Sequence, residues 1–157
     1  MTQAFTARVV QKTADFGVVV VGPVVVSCWR AGMQAERMAQ LLEVYRAQLL
    51  AFPSIAGVIW MPKQRFAPPD AASRKVLAEI ETAIGARTAA LAIVLEGSPM
   101  VMATARAVVA GIGLVSHEPY PRSIVGSLEE GARAVAAKSG MPTSTEITAA
   151  ARLLDPA

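Results

Sequence analysis

Two short stretches of this 157-residue chain carry side chains that do chemistry, and each follows a run that reads as a buried strand. Glu96-Gly97-Ser98-Pro99 follows Ala89 to Leu95. A carboxylate and a hydroxyl at a strand end could orient an alcohol, an amine or an anion, because strand ends in α/β folds form ligand crevices. The same residues also read as a tight turn and helix start, in which Ser98 satisfies free amides and Pro99 sits where no donor is needed. Lys63 and Arg65 follow Ile55 to Met61 in a loop that ends at Pro68-Pro69. With Trp60 and Phe66 they make a rim suited to an anionic ligand or to a protein hot spot, since cations and flat aromatic surfaces combine at interfaces.

The remaining reactive residue types stand alone. An imidazole titrates near neutrality, but His117 has no His, Cys or carboxylate array of metal-ligand spacing beside it and reads as a surface turn residue. Cys28 lies inside the apolar run Val24 to Trp29 and reads as packing rather than as a nucleophile. Ser98 lacks the surroundings of a nucleophile elbow, and neither a glycine-rich dinucleotide fingerprint nor a phosphate loop is present. No catalytic residue, metal site or cofactor is expected, and the chain reads as a binding domain rather than an enzyme.

Composition narrows the class further. The net charge is +3, with nine Lys/Arg against four Asp/Glu in residues 1–75 and six against eight in residues 76–157. The basic residues are scattered and the chain has only four Phe, two Trp and two Tyr, too few for a base-stacking platform, so no nucleic-acid partner is expected. Mean hydropathy is high at +0.44. Even so, Arg30, Lys63, Arg65 and Arg87 divide the apolar runs, and none reaches the roughly 18 residues of a membrane span. One cysteine excludes an internal disulfide and fits a reducing compartment. No secretory leader is evident, and a cytoplasmic location is expected.

The elements that must position these residues follow from periodicity and punctuation. Strands are expected over Ala7 to Thr13, Gly17 to Val21 and Val24 to Trp29, because continuous valine suits a sheet buried on both faces. Gly22-Pro23 either separates two paired strands or bends one. Met38, Leu41, Leu42, Tyr45, Leu49 and Phe52 follow helix spacing from Gln34 to Phe52, where Pro53 stops the helix. Ile55 to Met61 is a strand, and Asp70 caps a helix whose stripe is Val76, Leu77, Ile80 and Ile84, ending at Gly85. Ala89 to Leu95 is a strand, residues 99–112 a helix and Arg122 to Val125 a short edge strand. Ser127 with Glu130 and Thr143 with Glu146 fit capping boxes for helices over 127–138 and 143–154. Gly140-Met141-Pro142 is the clearest linker, which divides the chain into a domain over 1–139 and a peripheral C-terminal helix over 140–157.

This order predicts an α/β fold with a mixed four- or five-stranded sheet and crossover helices over 34–52, 70–84 and 99–112, burying Val24, Val26, Ile59, Leu91 and Ile93. Over roughly residues 7–138 it resembles the STAS and anti-sigma-factor-antagonist family, especially its SpoIIAA-like bacterial relatives, on element order, lengths and the segments Val18 to Trp29, Ile55 to Met61 and Ala89 to Leu95. The resemblance implies helices mainly on one face and a regulatory, protein-binding role in a bacterial system, with a protein partner or a homo-oligomer. In the phosphorylated branch a serine opens the helix after the central strand, near an Asp-Ser-Ser/Thr-Gly pattern. Here the matching residues are Asp70-Ala71-Ala72-Ser73, which implies a domain without the usual switch. Ser73 is the candidate at a shifted site, where a phosphate would face Arg74 and Lys75 and gain from the helix N-terminus. The alternative is a sensor of a small, anionic molecule, or an enzyme, using the loops after the central strands. In that case Glu96 and Ser98 position a polar group and Lys63 or Arg65 balances charge.

Overall fold

A computed structural model describes residues 4–62, 70–96 and 121–155, and, between 97 and 120, only Ala103 and Ala107. The strands are β1 (Ala7–Lys12), β2 (Phe16–Val21), β3 (Val24–Trp29), β4 (Ile55–Met61), β5 (Thr88–Leu95) and β6 (Arg122–Val125). They form one mixed α/β sheet in the order β1-β2-β3-β4-β5-β6. β1, β2 and β3 are antiparallel, and β3 to β6 run parallel. The sheet has six strands where four or five were expected, because Gly22-Pro23 is a two-residue hairpin joining two full strands, with Val21 opposite Val24. Gly22 has φ +54°, the conformation glycine supplies at the first central position of such a turn, and Pro23 supplies the negative φ at the second.

The described helices are α1 (Ala35–Ala51), α2 (Ala71–Ile84), α3 (Leu128–Ala136) and α4 (Ser144–Arg152). The expected 99–112 helix lies outside the described residues apart from Ala103 and Ala107, both helical. α1 and α2 connect successive parallel strands and pack on the same face, as crossovers of one hand require. There Met38, Leu41, Tyr45, Ile80 and Ile84 pack with Val25, Ile59, Leu91 and Ile93. After β6 the chain returns over the opposite face. Leu128, Ala132 and Val135 of α3 and Ile147, Ala150 and Ala151 of α4 pack there on Val24, Val26, Val58, Ala92 and Val94.

Two expectations change. The described helices cover both faces, so Val24 and Val26 lie under α3 and α4 rather than under α1 and α2. The C-terminal helix, expected at the periphery, is part of the core: Ile147, Ala150, Ala151 and Leu154 are all buried. Its residues are small, which lets a short helix sit close to the valines of β2 and β3. Among the described residues no helix is long and apolar enough to cross a membrane.

Candidate functional site

The carboxyl ends of the parallel strands bring the chemistry-bearing residues together. Cys28 lies opposite Trp60, and Trp60 opposite Val94, in one row across the face covered by α3 and α4. Side chains two residues apart share a face of a strand, so Arg30 and Glu96 follow Cys28 and Val94 on that side. Glu96 reaches back over β4, and its Oε1 accepts a 2.6 Å bond from the Trp60 indole N–H. The Glu96 amide donates to the Met61 carbonyl at 3.2 Å, which locks the two strand ends side by side.

Two guanidinium groups flank the buried Trp60 ring, Arg30 at 5.9 Å and Arg152 at 5.5 Å from its centroid. Arg30 also donates to the Leu154 carbonyl at 2.8 Å and to Asp155 at 3.4 Å. Arg152 pairs with Glu129 at 3.2 Å and with Asp155 at 3.7 Å. Leu154 lies just beyond the last turn of α4, where carbonyls lack intrahelical partners and cations are favoured, so this arrangement fastens the end of that helix to the strand rim. Burial pushes the Cys28 thiol up to about 11, against a smaller lowering by Arg30, with Asp155 and Glu96 adding to the rise. Cys28 is therefore a protonated packing residue at neutral pH.

Of the residues expected at a ligand rim, Trp60 and Glu96 are brought into direct contact, while Lys63, Arg65, Phe66 and Ser98 lie outside the described residues. His117 does too. The Trp60 ring is buried beneath two arginines and offers no open stacking surface. The two guanidinium groups are met by two carboxylates, Asp155 and Glu129, and Glu96 adds a third on the Trp60 indole, so the described cluster carries no excess positive charge for an anion. Arg30, Arg152 and Asp155 were not anticipated. The alternation from Cys28 to Arg30 was a usable signal for the first, whereas the others join the site only because α4 packs on the sheet.

Ser73 sits in the first turn of α2 and is fully buried. Its hydroxyl donates to the Met33 carbonyl at 2.7 Å, and its amide donates to Asp70 at 2.8 Å. The backbone bond from Ser73 holds the Asp70 carboxyl below its usual range. Ser73 thus joins the helix cap to the segment before α1, and a phosphate on its oxygen would require that junction to open. A groove of about 390 Å³ between α3 and α4 is lined by Glu129, Arg133, Ser144, Thr145, Thr148 and Ala149. Glu129 at its margin is already paired with Arg152. No family model, curated protein or solved structure matches this chain.

Proposed function

We propose that this chain is a protein-binding regulatory domain that works without turnover, a STAS-like module of a bacterial system that does not use the serine switch. The observation that carries the reading is the employment of the polar groups at the strand ends. That rim is where α/β enzymes hold reacting groups ready for substrate. Here Glu96 is committed to Trp60, Arg30 to Leu154 and Asp155, and Arg152 to Glu129 and Asp155. Groups bonded in this way fix a surface; they do not wait for a substrate. The burial of Ser73 supports the same reading, since a switch residue must meet a kinase.

One observation favours a second reading, a sensor of a small polar molecule. β4 and β5 end side by side, so the stretches that carry Lys63, Arg65 and Ser98 start from the same end of the sheet. Affinity capture with the full chain, followed by co-elution on size exclusion with light scattering, separates the two. A complex of fixed stoichiometry with a protein partner, or with a second copy, is expected. A monomer that captures nothing but is stabilised by a metabolite overturns the protein-binding reading in favour of the sensor, and measured turnover of that metabolite would make the protein an enzyme.

A further inference from the structure

We infer that the outer edge of β1 is the docking site for an extended segment of a partner protein that carries two acidic side chains three residues apart. This rests on the protein-binding reading and names the surface and the chemistry of the partner. β1 ends the sheet, and no described element lies outside it. A strand in that position presents unpaired backbone donors and acceptors along its free side, the template used when a peptide adds a strand. β2 and β3 are buried along their whole length, whereas β1 exposes Val9 and Val10 at 41% and 40%.

Charge selects the occupant. Arg8 and Lys12 are the only charged residues of β1, and among the described residues neither is in an ion pair. A second copy is a poor fit. Antiparallel pairing of two β1 edges gathers Arg8 and Lys12 of both copies along one seam, with no acidic residue of either β1 strand to offset them, and like charges brought together across a strand pair are destabilising. An acidic strand gains where a second copy loses.

Register sets the spacing. Residues four apart on a regular strand share a face, so Arg8 and Lys12 would ordinarily point the same way. The pairing with β2 shifts between Val9 and Gln11, leaving Val10 without a partner there. Arg8 therefore lies opposite Val20, on the α1 and α2 face, and Lys12 opposite Gly17, on the other. The two β2 residues that meet these cations are three apart. A strand added on the outer side that follows the same faces meets them with the same spacing. Between its acids it places an apolar side chain against Val9 and a polar one against Gln11.

The test uses the full chain and two labelled peptides of equal composition. Acetyl-Thr-Glu-Thr-Val-Glu-Thr-amide has its acids three apart, and acetyl-Thr-Glu-Val-Glu-Thr-Thr-amide has them two apart. The first should perturb amide resonances of residues 7–12 and bind up to about fivefold more tightly than the second, which can keep only one of the two cross-strand ion pairs. The double variant Arg8→Glu/Lys12→Glu, whose side chains are exposed and whose fold is checked by circular dichroism, should lose the preference. Equal binding of the two peptides, no binding of either, or perturbations away from β1 would overturn the inference. Capture of the same protein partner by wild type and by the double variant would overturn the β1 site while leaving the protein-binding reading standing. Failure of wild type to capture any protein would remove that reading itself.

Discussion

Wide side chains fill the sheet face under α1 and α2, and narrow ones fill most of the face under α3 and α4. On the first, Phe16, Trp29, Met38, Tyr45 and Ile55 are buried beneath helices of 17 and 14 residues. On the second, Ala56, Ala90, Ala92, Ala132, Ala150 and Ala151 lie among valines at two helices of nine residues, and the larger side chains there are Trp60 at the rim with Leu128, Ile147 and Leu154. The difference is between stabilisation by bulk and stabilisation by close approach. A long helix makes many bonds of its own and tolerates a thick layer beneath it. A nine-residue helix is marginal alone, so it must sit close and have its ends satisfied. The longest helix, α1, has no side-chain cap bond at Gln34; α2 is capped by Asp70 and α3 by Ser127, and the short α4 carries a complete capping box of Thr143 with Glu146.

The sharpest test of bulk is Trp29→Ala. Trp29 packs on Phe16 at 4.5 Å, and its indole N–H donates to the buried Ser27 hydroxyl at 3.0 Å. Truncation leaves a cavity and an orphaned hydroxyl, and denaturant unfolding should show a loss of about 3–5 kcal/mol. A loss below about 1 kcal/mol, the scale of a surface change, would mean that this face is not held by volume.

Close approach is tested in the opposite direction, by adding atoms. A Cβ at position 131 of α3 would stand 2.5 Å from a Val94 methyl. Gly131→Ala gains helix propensity, yet overpacking should outweigh it for a net loss of about 1–2 kcal/mol. The double variant Gly131→Ala/Val94→Ala should be less destabilised than the sum of its parts, because the second change removes the methyl that the first one meets. Additive losses would break the argument for contact between α3 and β5.

The same contrast explains what could be read from the chain. Strand positions were legible to within a residue or two, because valine runs such as Gly17 to Val21 are punctuated by Gly22-Pro23 and Pro53. Helix spacing likewise placed Met38, Leu41 and Tyr45 on a buried stripe. Periodicity tells which side of a helix is covered; it does not tell which side of the sheet covers it, so the division of helices between faces was hidden. α4 looked peripheral because Gly140-Met141-Pro142 reads as a linker, although the small side chains beyond it are what close approach requires. At the candidate site Trp60 and Glu96 were legible as residues at strand ends. The bond from Arg30 to the Leu154 carbonyl joins groups 124 positions apart and has no local signature.

Caps offer a smaller and cleaner discrimination. Thr143 accepts a 3.1 Å bond from the Glu146 amide at the start of α4. Thr143→Ala should cost about 1 kcal/mol, the usual value for losing such a cap. Gln34→Ala at the start of α1, where no side-chain cap bond exists, should fall within about 0.5 kcal/mol of wild type. Equal costs at the two sites would show that the short helix depends on its cap no more than the long one does.

The smallest effect is a pH dependence carried by Glu146, which couples the α4 cap to the chain entering β1. Its carboxylate accepts from the Phe5 amide at 2.9 Å and from the Thr143 amide at 3.1 Å. The bond from Phe5, then that from Thr143, holds the Glu146 carboxyl below its ordinary value of 4.5. In the unfolded chain those amides are not gathered, so the unfolded state takes up the proton at higher pH than the folded one. The contribution is therefore fully present above about pH 4.5 and is lost as pH falls toward and through the folded value. Asp70 on the α2 cap titrates in the same sense, so the quantity to measure is the difference between wild type and Glu146→Gln. Glutamine can still accept one of the two bonds, which keeps the variant folded. Its advantage or deficit relative to wild type should change between pH 6 and pH 3, with wild type losing more stability over that interval. Two denaturation profiles that stay parallel across that range would show that the Glu146 carboxylate draws no stabilisation from the Phe5 and Thr143 amides, and that the end of α4 is held by its packing on β2 and β3 alone.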